Sequence, residues 1–210
     1  MTCPLCKIEK SLHFSSDPIR EYYLCRNCDL VFVLRESLVS PDKEKERYEL
    51  HDNLEDDQGY LEYLGKIAQS IKAFLKEGQV GLDFGSGRTK NLENLLKPFP
   101  VNSYDLYFHP NESLLEKRYD FIILSEVIEH LRAPREEMEK LNLLLNSGGC
   151  FFIKTKLRPD LELDFSNWFY KRDITHVEFF NEKSLKSLGE ILNKPLVTKI
   201  GDDLFRLSNH

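Results

Sequence analysis

A carboxylate followed by two glycines, at the end of an apolar segment, is the most informative chemical feature of this sequence. Residues 79–84 predict a strand that carries Asp83 near its end, and Gly85-Ser86-Gly87 follows at once. Glycine allows a sharp turn and leaves room for a ligand against the main chain. The carboxylate can accept hydrogen bonds from an amine and would repel a pyrophosphate, and Lys90 replaces the third glycine of a dinucleotide fingerprint. The turn therefore favours a nucleoside with a cationic amino-acid tail, such as S-adenosylmethionine.

A second acidic residue, Asp105, ends the next predicted strand, 18 residues after Gly87. A carboxylate at this point of an α/β sheet can accept hydrogen bonds from both hydroxyl groups of a ribose. A helix cap or a surface acid is the alternative interpretation. The preceding glycine turn favours ribose binding.

Four of the five cysteines form two pairs with a two-residue gap: Cys3 and Cys6, and Cys25 and Cys28. Two such knuckles predict a tetrahedral zinc site that is structural, because thiolates fill all four positions. Disulfides are the alternative for a secreted protein, and the sequence shows no secretion signal. A redox pair would not occur twice. Cys150 lies in an apolar strand and is expected in the core.

The chain divides into three predicted segments: a small zinc ribbon at 1–34, a helical linker or lid at 35–78, and the rest at 79–210. From residue 79 strands and helices alternate, which predicts an α/β fold with a mostly parallel, Rossmann-like sheet. Residues 196–207 predict a C-terminal antiparallel hairpin. Ligands bind beyond the carboxyl ends of parallel strands, where Asp83, Asp105 and Ser125-Glu126 are expected.

Composition and charge limit the partners of this chain of 210 residues. No apolar run approaches the roughly 20 residues that span a bilayer, and we expect a cytoplasmic protein without a membrane partner. The formal net charge is −6. Nucleic-acid binding relies on clustered lysine and arginine, so this charge disfavours it without excluding it. The oligomeric state is not predicted.

The sequence resembles the class I S-adenosylmethionine-dependent methyltransferases in its core motifs. These motifs are Leu82–Gly87, Tyr104-Asp105, Tyr119–Leu124, Ser125–His130 and Leu144–Gly149. Segments 40–48 and 168–177, with His51, resemble a bacterial subgroup of these enzymes that carries an N-terminal four-cysteine zinc ribbon.

The resemblance implies a role for each matching residue. The backbone of Gly85-Ser86-Gly87 would contact the methionine moiety, Asp83 its amine and Asp105 the ribose. Tyr48 and His51 would close over the cofactor. The full predicted cofactor-binding set is Tyr48, His51, Asp83, Phe84, Gly85, Ser86, Gly87, Asp105, Leu106, Ser125, Glu126 and Val127. Only 13 residues separate Asp105 from Tyr119, enough for one short helix, so no adenine contact is assigned.

Methyl transfer needs positioning and, for some acceptors, a base. The predicted catalytic residues are His176, His130 and Glu126. Glu126 and His130 are four residues apart and would share one helical face, and Asp173 could orient His176. A helix cap or a structural hydrogen bond is the alternative for each histidine. The aromatic residues 168–170 would wall the acceptor pocket or simply pack.

Three functions follow from these features. The leading one is methyl transfer from S-adenosylmethionine to a small-molecule acceptor. The second is an RNA methyltransferase whose ribbon holds RNA, although residues 1–35 are close to neutral. The third is a module that binds the cofactor without turnover.

Overall fold

The computed structural model describes residues 1–49 and 57–209, whose strands form two sheets. The strands are β1 (Ser11–Ser16), β2 (Glu21–Cys25), β3 (Val31–Val33), β4 (Gly81–Phe84), β5 (Val101–Tyr104), β6 (Tyr119–Ser125), β7 (Leu145–Lys154), β8 (Glu178–Phe179), β9 (Leu196–Gly201) and β10 (Leu204–Ser208). The α-helices are α1 (Pro41–Glu49), α2 (Gln58–Lys72), α3 (Asn91–Leu95), α4 (Pro134–Leu143), α5 (Glu162–Asn167) and α6 (Glu182–Ile191). Single 3-10 turns cover Arg35–Ser37, Glu112–Glu116, Ile128–His130 and Phe169–Arg172.

The larger sheet has the strand order β5-β4-β6-β7-β10-β9. The four strands from β5 to β7 run parallel, and β10 pairs antiparallel with both β7 and β9. Strand β6 is nearly continuous in buried apolar residues because helices cover both faces of a parallel sheet. The predicted α/β fold, with mostly parallel strands and a C-terminal hairpin, is confirmed.

Strand β5 is one edge of the larger sheet. The short segment that follows Asp105 holds only the 3-10 turn Glu112–Glu116 before β6 begins, as its length predicted. The carboxyl end of β5 and the residues just after it therefore lie at an open edge.

Helix α2 belongs to the main body, although residues 35–78 were predicted as a linker or lid. The Asp57 side chain caps it by accepting a hydrogen bond from the Tyr60 N–H at 2.9 Å. Its buried face, which includes Ile67 and Ile71, packs with Phe121 and Phe152 of the sheet.

Strand β7 begins directly after helix α4. The helix ends at Leu143, and the buried Leu145 already pairs with Tyr119. The register shifts between Tyr119 and Phe121, and Gly148 has a φ of +79°. The glycines therefore form an irregularity within the strand, which a sequence pattern does not distinguish from a helix end.

The smaller sheet has the order β1-β2-β3-β8, so its last strand comes from the segment that follows β7. Val31 of β3 pairs with Phe179 of β8, and Phe32 pairs with Glu178. The N-terminal ribbon is thus joined to the main body by main-chain hydrogen bonds. None of the helices in the described parts of the chain is long and apolar enough to span a bilayer.

Candidate active site

The glycine turn after β4 is anchored on the end of β5. The N–H groups of Gly85 and Ser86 both donate to the carbonyl oxygen of Tyr104, at 2.8 and 3.0 Å. Gly85 has a φ of +78°, and a Cβ added to it would lie 2.5 Å from Cγ2 of Val127. Gly87 has a φ of +67° with open space where its Cβ would be. Gly85 is therefore required for packing, whereas Gly87 keeps the main chain accessible to a ligand.

Asp105 holds this region together with its carboxylate. Its Oδ2 accepts a hydrogen bond from the Gly87 N–H at 2.9 Å, and its Oδ1 accepts from the N–H groups of Tyr107 and Phe108 at 2.9 and 3.0 Å. A carboxylate offers about four acceptor positions. Three of these positions are occupied, so Asp105 has one left to accept a hydrogen bond from a ligand. The sequence had predicted hydrogen bonds from both ribose hydroxyls.

Asp83 lies beneath the glycine turn with 2% of its surface exposed. Burial, with smaller contributions from Asp105 and Glu93, raises the pKa of this carboxyl from 3.8 to about 7. Its charged form is therefore destabilised in the protein alone, and a nearby ligand cation would offset that cost.

A cleft of about 690 Å³ opens at the carboxyl ends of β4, β5 and β6, and its volume is in the size range of small-molecule sites. Of the predicted residues it is lined by Tyr48, Phe84, Gly85, Ser86, Gly87, Asp105, Leu106, Ser125, Glu126, Val127, His130 and His176. Asp83 is not among its described lining residues, and His51 lies outside the described parts of the chain. We call this space the central cleft.

Tyrosine side chains surround Glu126 in the central cleft. Its Oε1 accepts a hydrogen bond from the Tyr63 hydroxyl at 2.9 Å and lies 3.5 Å from Nζ of Lys154. Its Oε2 accepts from the Tyr170 hydroxyl at 2.7 Å. The only sequence feature that relates to Tyr63 is its position three residues after Tyr60 on α2. The rings of these two tyrosines stack on each other.

Glu129 also contacts the Tyr170 hydroxyl and has no exposed surface. Burial, together with the charge of Glu126, raises the pKa of Glu129 well above its ordinary value. The sequence does not single out Glu129, because Glu126 lies three residues before it and nothing in the pattern shows which of the two acids is buried.

The two predicted histidines lie side by side, with ring centroids 4.6 Å apart. Nδ1 of His130 faces the carbonyl oxygen of Thr175 at 3.1 Å, and Nδ1 of His176 faces that of Tyr170 at 2.7 Å. Burial lowers the pKa of His176, with a smaller opposing effect from Asp173. At neutral pH this ring is therefore held in its neutral form.

Two predicted arrangements around these histidines are wrong in detail. Glu126 and His130 do not share a helical face, because Glu126 has a φ of +55° and the following turn is a 3-10 turn. The carbonyl of Tyr170 orients His176, whereas the Asp173 carboxylate accepts hydrogen bonds from Thr175 and Arg47. Both predictions assumed regular local geometry that the tight turns replace.

Helix α1 covers one side of the central cleft. The Tyr48 ring contacts the His130 ring, with centroids 5.3 Å apart, and the Tyr107 ring at 5.6 Å. Arg47 pairs with Asp173 at 3.0 Å. Among the aromatic residues 168–170, Tyr170 lines the cleft and Trp168 packs in a neighbouring apolar cluster, while Phe169 is 58% exposed.

The ribbon contacts the segment that carries His176. The guanidinium of Arg20, which is 5% exposed, donates to the carbonyl oxygens of Lys171, Ile174 and His176. The Val33 N–H donates to the carbonyl of Val177 at 3.0 Å. The position of the cleft wall therefore depends on the ribbon.

The four ribbon cysteines form one cluster with Sγ atoms within 4.8 Å of one another. The Sγ atoms of Cys3 and Cys28 are 3.6 Å apart and those of Cys6 and Cys25 are 3.5 Å apart. Thiolates around zinc are separated by about 3.8 Å, given Zn–S bonds of about 2.3 Å, and a disulfide would need about 2.05 Å. The donor set therefore fits zinc.

The two knuckles have the same backbone form. The carbonyl of Cys3 accepts from the Lys7 N–H at 3.0 Å, and that of Cys25 accepts from the Asp29 N–H at 2.8 Å. Lys7 and Asp29 both have a positive φ, of 62° and 61°. The repeated Cys-x-x-Cys spacing thus produces the same turn twice.

A parallel sheet with a glycine turn, acidic residues at its strand ends and a cleft above them is typical of the class I methyltransferases. A family model described as a methyltransferase domain matches residues 58–193. The chain belongs to this family. This match confirms the methyltransferase family that the sequence resembles. No curated protein matches the sequence significantly.

Solved structures share the fold at low sequence identity. An O-methyltransferase family protein from Burkholderia thailandensis is 12% identical with a TM-score of 0.53, over 79% of this chain and 61% of its own. A SAM-dependent methyltransferase from Archaeoglobus fulgidus is 20% identical with a TM-score of 0.51, over 66% of this chain and 71% of its own. N-methyltransferase NodS from Bradyrhizobium japonicum, in complex with S-adenosyl-L-homocysteine, is 15% identical with a TM-score of 0.54, over 80% of this chain and 97% of its own. This chain thus spans less than two thirds of the Burkholderia protein.

Proposed function

We propose that the protein transfers a methyl group from S-adenosylmethionine to a small-molecule acceptor, with both molecules bound in the central cleft. The observation that carries this proposal is the composition of the cleft. Gly87 and Asp105 line it along with a separate group of polar side chains: Glu126, His130, Tyr170 and His176. A volume of about 690 Å³ suits two small ligands better than a folded macromolecule.

The cofactor's methionine end lies against the glycine turn in this proposal. Gly87 leaves the main chain accessible there, and the buried Asp83 provides a negative charge below it. One ribose hydroxyl donates a hydrogen bond to the remaining acceptor position of the Asp105 carboxylate. Leu106, which is 60% exposed, offers an apolar surface for the adenine.

The acceptor lies at the end of the cleft formed by the histidines. Methyl transfer is an in-line displacement: the acceptor atom bonds to the methyl carbon as the carbon–sulfur bond breaks, leaving S-adenosylhomocysteine. The protein contributes mainly orientation. His176, His130 and Glu126, the predicted catalytic residues, are the groups that could receive a hydrogen bond or a proton from the acceptor.

The ribbon serves a structural role in this proposal. Zinc bound by Cys3, Cys6, Cys25 and Cys28 stabilises a unit with little core of its own. The ribbon then holds the segment 171–177, through Arg20 and β3, in the position that completes the acceptor end.

Calorimetry with S-adenosylhomocysteine tests the cofactor site directly. We expect one binding site per chain, weakened in Asp105→Ala and unchanged in the exposed control Asp202→Ala. Absence of binding to S-adenosylhomocysteine and S-adenosylmethionine would overturn the proposal. A fluorescent RNA titrated at low salt tests the RNA alternative, which predicts a steep loss of affinity as salt is added.

A further inference from the structure

Three side chains capable of binding a metal meet at the acceptor end of the central cleft. Glu129, His130 and His176 each contribute one donor atom, and these atoms lie within 4.8 Å of one another. Two imidazoles and a carboxylate are a ligand set of catalytic zinc sites, in which a further position stays open to substrate. We propose that this cluster binds one divalent transition-metal ion of the zinc type, distinct from the ion of the ribbon.

The histidine orientations support a metal site. Nδ1 of His130 and Nδ1 of His176 each face a main-chain carbonyl oxygen, at 3.1 and 2.7 Å. A carbonyl only accepts hydrogen bonds, so Nδ1 of each ring carries a hydrogen, and Nε2 is the nitrogen that would bind a metal in the neutral form of the ring. Histidines that bind metals commonly have this arrangement, because the second hydrogen bond fixes both the tautomer and the ring.

The Glu129 carboxylate provides an independent observation. The residue has no exposed surface, and its Oε1 contacts the Tyr170 hydroxyl. Its Oε2 is buried without a hydrogen-bond partner within residues 1–49 and 57–209. Such an oxygen is costly inside a protein unless something satisfies it, and a cation would do so.

The main chain already holds the ligand segments together. The Val177 N–H, next to His176, donates to the carbonyl oxygen of Glu129 at 2.8 Å. Donors around a tetrahedral ion with bonds of about 2.0–2.2 Å are separated by roughly 3.3–3.6 Å. The three donor atoms lie within 4.8 Å of one another and are therefore close to this spacing.

The choice of ion follows from the donors. Imidazole suits zinc, cobalt, nickel and ferrous ions, whereas magnesium and calcium prefer oxygen ligands. Because His130 and His176 line the cleft, the open position of the ion would face the proposed acceptor. The inference thus rests on the proposed function for the acceptor's location and narrows its class to a molecule that presents a hydroxyl or another oxygen donor.

With the ion bound, both imidazole lone pairs are used, so the histidines hold the ion and do not receive the acceptor's proton. The ion's charge would lower the pKa of the acceptor hydroxyl, whose proton leaves to water in the cleft. The oxygen then bonds to the methyl carbon, the carbon–sulfur bond breaks, and its electron pair stays on the sulfur of S-adenosylhomocysteine.

Titration of the protein with cobalt(II), with zinc already bound in the ribbon, tests the site. We expect weak visible absorption bands at one equivalent, without the intense thiolate charge-transfer band that exchange at the cysteines would produce. Glu129→Gln, His130→Ala and His176→Ala should each weaken cobalt binding at least about 100-fold, because even partners of ligands contribute 10–100-fold. His13→Ala, an exposed histidine of the ribbon, should bind as the parent does.

Each variant is checked for folding by its circular dichroism spectrum and its melting temperature. If Glu129→Gln does not fold, cobalt binding by the two histidine variants alone tests the proposal. Bands that are absent, that arise only at the cysteines, or that persist in the folded histidine variants overturn the metal site. Calorimetry with S-adenosylhomocysteine reports separately on the proposed function, so failure of one is distinguishable from failure of the other.

Discussion

Replacing Asp83 with asparagine should make the ligand-free protein more stable at neutral and higher pH. The pKa of Asp83 rises from 3.8 to about 7 on folding, mainly because the carboxyl is buried. Each factor of ten in a proton equilibrium is worth about 1.4 kcal/mol, so holding this group ionised costs up to roughly 4 kcal/mol. Asparagine has nearly the same shape and carries no charge.

The pH dependence follows from the raised pKa. Below pH 3.8 the carboxyl is protonated in both states and contributes nothing. Between pH 3.8 and about 7 the folded state retains a proton that the unfolded state has lost, so stability falls as pH rises. Above pH 7 the full cost applies.

Urea unfolding at pH 5 and pH 8, followed by the fluorescence of Trp168, the single tryptophan, measures this difference. Asp83→Asn should be stabilised by up to about 4 kcal/mol at pH 8 and by clearly less at pH 5. Asp202→Asn, an exposed carboxyl, is the matched control and should show no such trend. A stabilisation that is equal at both pH values, or a loss of stability at pH 8, would refute the reasoning.

Three further predictions address the cleft and the ribbon. Asp105→Ala should weaken S-adenosylhomocysteine binding by about 1–3 kcal/mol in calorimetry, the range for hydrogen bonds to charged groups, and unchanged affinity would show that the ribose lies elsewhere. Gly85→Ala should lower the free energy of unfolding by at least about 1–3 kcal/mol, because the added Cβ would lie 2.5 Å from Val127. Gly87→Ala should weaken cofactor binding more, relative to its loss of stability, than Gly85→Ala does. If Gly85→Ala weakens binding more on this measure, the proposed position of the cofactor is wrong. Arg20→Met should increase hydrogen exchange of the amides in 171–177 while S-adenosylhomocysteine binding persists, since Arg20 binds three carbonyls of that segment, and unaltered exchange would argue against the coupling.

Arg20 connects the ribbon to the main body. Its guanidinium is buried and carries a charge, which a protein interior tolerates only with good partners. Three carbonyl oxygens on the segment that bears His176 provide them. Unfolding of the ribbon would therefore expose this segment and alter the position of the residues at the acceptor end of the cleft.

Local rules account for what the sequence determined by itself. The glycine turn, the acids at the ends of β4 and β5, and the two cysteine knuckles all follow from short spacings, because each depends on a few consecutive residues. The parallel core was predictable from continuous apolar runs such as β6, and the short segment after Asp105 correctly excluded a further strand at that edge.

Only the tertiary structure decided how distant segments meet. Glu129 and Tyr170 are 41 positions apart, yet their side chains are in contact, and no periodicity predicts such a contact. The orientation of His176 depends on a main-chain carbonyl, and carbonyls are identical at every position of a sequence. The pairing of β8 with β3 likewise arises from the folding of the whole chain. The sequence thus specified the chemical groups of the site, whereas their desolvation, pairing and mutual distance arose from long-range packing.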